Sequence, residues 1–481
     1  MREYILYVVV AALAVYAWRD WFVSACALVV LAAFMKHSDM PRTMGDIPGA
    51  NPWNLLLVAV VAAWIVTRRR NPAAGPCPRY VAVVFGLYAV MMLVAFLRGV
   101  MDLGPLQAVG IGGFTIEYLL NPAKYLVLAA LVFDGARASR RNLLLAYGAI
   151  TAQVLLFTVM TWRYIPLTAL LEPAVTHQGE SGFRHRFQKE IGFHANDIAL
   201  VLVAGFWAIV ASAPLLKVRR WWWKAAAAIG GALTALAVVM TNSRGGYMGF
   251  VGVGVLFGLL RHRWLLVALP VAAGLAFVVF PTLASRVGEG FGTVDTSGER
   301  TDDWAAISAG RTTGLWPDVI EEIGGSPIVG QGRLALMRCS IYDRIVANRG
   351  EPPPGHPHNA YLEMLLDSGA IGLVITLLLF LGFPIWAYRH RRSGDPLLTT
   401  VLYAGLAGAA TILIMGISGQ TFWPREAVDT ILYLYALMMA GSVIRLPVGA
   451  AESARYAALP LHSAQVARGA QAPPFQLKAG R

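Results

Sequence analysis

Residues 352–383 read PPPGHPHNAYLEMLLDSGAIGLVITLLLFLGF, and the stretch changes character in its middle. From Ala370 onward it carries no charge until Arg389, close to the ~20 apolar residues that take a helix across a bilayer. The first half is stiff and polar, with three prolines, His356 and His358 around Pro357, and then Asn359. Pro357 disfavours helix at His356, Asn359 is a good N-cap, and AYLEMLLD is a good helix that Gly369 can end. Glu363 and Asp367, spaced i,i+4, share one side of it. The segment reads as a short interfacial helix anchored by a membrane span, with His358 at its N-terminal end. A helix N-terminus disfavours imidazolium, so His358 is expected to be neutral and able to accept a proton, as a general base must.

Apolar runs of this kind recur along the whole 481 residues, of which 57% are hydrophobic and 14% charged. A soluble domain carries about a quarter charged residues. The fold class is therefore an all-α polytopic membrane protein, with about 12–13 candidate transmembrane helices. The organisation expected is membrane helices over 1–162, a membrane core over 163–445 with a large outer loop at 284–369, and a disordered tail at 446–481. That tail is rich in Ala, Gly, Pro and Gln. The first three apolar runs are short, about 15 residues each against the ~20 of a full span, and Arg19-Asp20 splits the first two. A hairpin entering the membrane only partly fits them as well.

The net charge of +13 does not point to nucleic acid. Its cations cluster in short connectors: Arg68–Arg70, Arg137 with Arg140 and Arg141, Lys217 with Arg219 and Arg220, Arg261 with Arg263, and Arg389 with Arg391 and Arg392. Such clusters mark cytoplasmic loops and meet anionic lipid headgroups. Segments 98–113, 163–190, 242–245, 284–369 and 418–427 then share the other side. Trp221–Trp223 reads as an interfacial belt. In the outer loop, the spacing of Trp304, Ile307, Leu315, Val319, Ile320 and Ile323 predicts one or two helices packed over the membrane, and 333–354 reads as an insertion. Cys26, Cys77 and Cys339 form no disulfide framework or thiolate metal site.

The informative charges are those on the outer side. Arg244, in TNSRGGYMGF, stands where two spans meet almost without a loop, a costly place for a cation unless it faces a cavity or an anion. Arg184 and Arg186 sit with His185 and Lys189 before the next apolar run. Arginine's fork of donors suits phosphate oxygens, and arginines from two segments could clamp a diphosphate and stabilise it as a leaving group. Arg300, Arg311 and Arg333 are weaker candidates for the same task. His356, His358, His185 and His194, with Asp302 and Asp303, could suggest metal, but no spacing among them defines a site. No metal and no cofactor is expected.

These motifs resemble the O-antigen ligase and O-antigen polymerase-like superfamily of bacterial lipid-linked oligosaccharide ligases, O-glycosylation ligases included. His358 and Gly369 are separated as in the H-x10-G pattern of O-antigen ligases. SPIVGQGR…HPHNAYLEMLLDSGAIGL, TNSRGGYMGF and RFQKEIGFHANDIAL are similar to that family's ordered segments, over about residues 180 to 375. The resemblance implies a GT-C-like enzyme of the bacterial inner membrane with its active site facing the periplasm. The donor implied is a glycan on undecaprenyl diphosphate, and the acceptor lipid A core, a protein or a growing glycan. By the same resemblance His358 corresponds to the base, Arg186 (or Arg184) and Arg244 to the donor-binding arginines, with Asn359, Gly369, Arg311 and Arg300 in support. Neither metal nor nucleotide sugar is required. A polymerase of lipid-linked repeat units is the nearest alternative. A flippase for the same lipid would want cations along a path through the membrane, whereas the outer candidates crowd one face.

Overall fold

The structure, a computed structural model, describes residues 2–37, 40–41, 49–70, 77–166, 168, 185–217, 219–288, 293–294, 300–301, 311–349, 353–391 and 394–444. The tail 446–481, Arg184, and Asp302 and Asp303 lie outside the described residues. Contacts divide the chain into a unit Met1–Ser442 and a unit Val443–Arg481. Only Val443 and Ile444 of the second are described.

Helices dominate, and one antiparallel pair of two-residue strands, Thr293–Val294 with Arg300–Thr301, is the sole β structure among the described residues. Two helices hold the centre. Ala195–Ala211 packs against Pro396–Met415, and also meets Arg140–Tyr164, Trp221–Met240 and Arg244–Leu260. Pro396–Met415 starts cleanly because Pro396 presets the first turn and the Asp395 carboxylate accepts the N–H groups of Leu397 (2.9 Å) and Leu398 (3.1 Å). It is apolar nearly all round and buried nearly throughout, as such a helix must be. Trp221–Met240 instead turns much of its surface outward, with Trp221, Trp222 and Trp223 exposed at its start, where an interfacial belt belongs.

Among the described residues, 6 helices are long and apolar enough to cross a membrane, or 7 if the pair Leu265–Val279 and Pro281–Gly288, bent by 109°, forms one span. Five further apolar helices are shorter, 10–17 residues each. The first two elements, Arg2–Ala17 and Trp21–Leu31, rise only about 24 and 17 Å against a hydrocarbon core of ~30 Å. Asp20 turns the chain between them by capping Phe22 N–H (3.1 Å) and Val23 N–H (3.3 Å).

The connectors sort into two ends. At one, Asp134 holds Arg68 and Arg137, Arg140 pairs with Asp395, and Arg261 and Arg391 border one cavity. At the other, Arg98 donates to Gly330 O (2.6 Å), Arg338 to Asp102 O (2.8 Å), and Arg244 to Arg286 O (2.9 Å). The first set joins the basic clusters, and the second joins segments expected on the other side.

The outer loop is built on one buried cation. The Arg333 guanidinium reaches Glu363 and Asp367, each at 2.7 Å, and stacks on the Trp423 ring at 4.3 Å. Its own N–H donates to Ala95 O at 2.7 Å. Arg333 is thus committed to two carboxylates rather than offered to a phosphate, and 333–354 begins as an anchor rather than an insertion. Around it Leu315, Val319, Leu336, Ile341, Ile345 and Leu366 form a small core. The helix expected upstream is realised over Trp316–Gly324, and Ser340–Arg349 packs beside it.

The same loop splints a break. Helix Ala360–Leu377 is kinked at Gly369, whose φ of 66° leaves the helical region. The carbonyls of Leu366 and Asp367, freed there, accept Gln331 N–H (2.7 Å) and Gly332 N–H (2.8 Å). Across the break, Ala370 N–H donates to Pro327 O (2.8 Å) and Ile371 N–H to Ile328 O (3.2 Å). All four backbone groups of the break are satisfied by one strip of chain, as a buried break requires. A Cβ on Gly369 would lie 2.3 Å from the Ile328 carbonyl, so Gly369 ends the first helix, as its sequence position suggests, and only glycine fits.

Arg333→Gln strands two buried carboxylates, and the expected loss is about 3–5 kcal/mol, measured by chemical unfolding in detergent, with Arg333→Lys intermediate. Gly369→Ala is expected to lose more than about 2 kcal/mol. Wild-type stability in either Arg333→Gln or Gly369→Ala would show that the clamp does not hold the loop.

Candidate active site

The segment before helix Ala360–Leu377 is held from three directions. Trp316 Nε1 donates to Pro357 O at 2.9 Å. Asn359 caps the helix as its sequence suggests, its Oδ1 accepting Tyr361 N–H (3.0 Å) and Leu362 N–H (3.2 Å). Ala360 N–H donates to Gly416 O (2.7 Å) and Tyr361 OH to Leu413 O (2.8 Å), tying the segment to the end of the central helix Pro396–Met415.

His358 sits between these ties with a φ of 55°, a left-handed conformation that costs a non-glycine residue about 1–2 kcal/mol. Its N–H donates to His356 Nδ1 at 3.1 Å, and the two rings lie 4.3 Å apart. Burial, then the cations Arg425, Arg333 and Arg311, and His194 push the His356 imidazole down to about 3. His356 is therefore neutral. With Nδ1 accepting a hydrogen bond, its proton is assigned to Nε2. His356 is thereby fixed as a donor through Nε2.

Beside the histidines lies a small polar pocket. Asn196, Ser243, Gly245, Ser418, Gln420 and Arg425 border it, and it brings together the starts of two helices and the connector after Met415. Ser243 caps helix Arg244–Leu260 through Gly246 N–H (3.1 Å) and donates to Asn196 Oδ1 (2.8 Å). Arg425 pairs with Asp197 at 2.7 Å. Gln420 Nε2 donates to Glu363 Oε1 (2.5 Å), joining the pocket to the Arg333 clamp.

The expected residues divide in the fold. Arg311 comes to the pocket, its Nη1 reaching Ser418 O at 3.5 Å. Arg244 is half-buried on the first turn of its helix, next to Gly245, whose added Cβ would meet Ser418 Oγ at 2.6 Å. Arg186 is exposed, and among the described residues it forms no hydrogen bond or ion pair. Arg184 and the Arg300 side chain lie outside the description. Sequence reading passed over Arg425 and Gln420. Their signal was a short polar interruption, GQTFWPRE, between two deeply apolar runs on the same side as His358.

Residues 229–377 match the family model described as O-antigen ligase. No curated protein matches the chain. The matched span runs from helix Trp221–Met240 through Arg244, Arg311 and Arg333 to His358 and Gly369, while Arg186 and Arg425 fall outside it. It thus contains the histidine segment, the loop that splints its helix and one wall of the pocket. Over residues 229–377 the chain is thus similar to the O-antigen ligases, and its apolar helices make it an all-α polytopic membrane protein.

Proposed function

We propose that this protein is a glycosyltransferase of the bacterial inner membrane that moves a glycan from undecaprenyl diphosphate to an acceptor hydroxyl on the periplasmic face. The observation that carries the reading is the placement of His358, held in a strained conformation against a neutral His356, near a polar pocket that Arg425 lines and Arg311 approaches through Ser418 O. The family match supports the coarser statement, an enzyme of the ligase and polymerase kind acting on lipid-linked glycans.

In this mechanism His358 takes the proton of the acceptor hydroxyl. The oxygen forms a bond to the anomeric carbon as the bond from that carbon to the diphosphate oxygen breaks. The leaving diphosphate gathers negative charge, and guanidinium groups fixed to face it stabilise that charge. Arg244 and Arg311 are the donor-binding groups, with Arg425 a further one across the pocket. Arg186 and Arg184 serve the donor from the 163–190 segment. Asn359 and Gly369 keep His358 at a fixed height above the span. The acceptor is lipid A core, a protein hydroxyl or a growing glycan.

The test incubates purified protein with a lipid-linked oligosaccharide and each acceptor class, and follows undecaprenyl diphosphate release. His358→Ala is expected to lose at least about 100-fold in turnover while still binding donor; full turnover would remove it as the base. Arg311→Gln is expected to raise the donor KM about tenfold or more, and an unchanged KM removes it from the clamp.

His356 gives a separate check. Asparagine can place Oδ1 where Nδ1 stands, so His356→Asn should keep most activity and His356→Leu should lose about tenfold. The folded His356 resists protonation until about 3, whereas an unfolded histidine titrates near 6.5. As pH falls below 6.5 the unfolded state takes the proton first, so stability is lost on the acid side. By pH 4.5 the loss is about 2.7 kcal/mol, and His356→Asn should show a flatter profile.

A further inference from the structure

A second cavity lies away from His358. It measures about 210 Å³ and lies at the opposite end of the same helices. Helix Arg244–Leu260 begins at the polar pocket and delivers Arg261 here, and helix Pro396–Met415 begins here with Leu398 and Leu402 and ends there at Met415. Seventeen residues of helix separate the two places, about 25 Å.

The lining is amphiphilic. Arg261, His390 and Arg391 stand at its rim with the Thr399 hydroxyl, and Leu402 and Met438 continue the wall into the bundle. No carboxylate lines it among the described residues. The nearby Asp395 is already taken by Arg140 and by the N–H groups of Leu397 and Leu398. Arg261 lies over the Tyr403 ring at 4.7 Å, and its Nη1 is buried without a hydrogen-bond partner. Arg391 lies over the Tyr388 ring at 4.0 Å. A buried guanidinium N–H left unpaired is costly, and stacking on an aromatic face orients the group without supplying an anion. Burial, Arg261 and Lys217 together push His262 below the ordinary histidine range, a further sign that positive charge crowds this end.

We infer that this cavity is a binding site for an anionic phospholipid, its headgroup phosphate held by Arg261 and Arg391 and its chains running along Leu402 and Met438. The arginine fork matches a phosphate oxygen pair, and cations in connectors of this kind meet anionic headgroups. The cavity's apolar wall favours a phosphate that carries acyl chains over a free one. The site is independent of the glycosyl-transfer reading.

The test uses the full chain in detergent with short-chain phosphatidylglycerol, short-chain phosphatidylcholine and inorganic phosphate as separate additions. Binding is read by native mass spectrometry and by the shift in unfolding temperature. Phosphatidylglycerol is expected to be retained and to raise the unfolding temperature, while phosphatidylcholine and phosphate at equal concentration do neither. Arg261→Gln and Arg391→Gln should each weaken retention about tenfold or more with the helical circular dichroism unchanged. Arg219→Gln, outside the cavity, should leave it intact. If Arg261→Gln fails to fold, Arg391→Gln alone carries the test. Equal retention in wild type and Arg391→Gln, or an equal loss in Arg219→Gln, overturns the site. An equal shift with inorganic phosphate overturns the lipid as its source.

Discussion

A single guanidinium, that of Arg333, sets the geometry of the outer face. Removing three charges from water costs several kcal/mol per ion, and their attraction repays that cost only if the geometry is complete. Here the carboxylates are well supplied: Arg333 meets both Glu363 and Asp367, Ala335 N–H donates to Asp367 Oδ1 at 3.1 Å, and Gln420 donates to Glu363, while Arg333 Nε rests without a hydrogen-bond partner among the described residues. The partners come from the outer loop, the kinked helix and the connector after the central helix. Once this triad forms, those three pieces of chain are no longer independent, and the loop 326–333 lies where it can cap both halves of the break at Gly369.

The two ends of the bundle illustrate how differently a membrane protein can house arginine. Arg333 is neutralised by Glu363 and Asp367. Arg261 and Arg391 instead rest on aromatic rings, with no carboxylate among the described residues lining their cavity. The first arrangement fixes protein to protein. The second leaves charge facing outward, which suits contact with something brought by the membrane.

Much of this was legible in the chain. Apolar runs declared the spans, Asn359 and Gly369 announced the ends of the short helix, and the spacing of Leu315, Val319 and Ile323 foretold a face that packs. These are local signals, decided by neighbours a few residues away. Arg333 was not legible because its partners lie 30 and 34 residues further on, and nothing local distinguishes a cation that will be paired from one that will hold phosphate. The order of His356 and His358 was equally silent about which imidazole would be buried among arginines. Arg186, favoured by its place before an apolar run, is exposed, while Arg425, in a connector of a few residues, faces the pocket.

The histidine segment has an anchor on each side that does not depend on the chain between them. Arg333 and its capping strip hold the upstream end, and Asn359, with the hydrogen bond from Ala360 to Gly416, holds the downstream end. Lengthening a surface connection between two fixed points costs little, about 0.6 kcal/mol for each doubling. Arg338, Ile341 and Ile345 belong to the loop's packed core, so the part of this connection that can vary in size while His358 stays in register with the membrane bundle begins after Arg349. Tolerance to change is concentrated in one connection, next to the histidine pair.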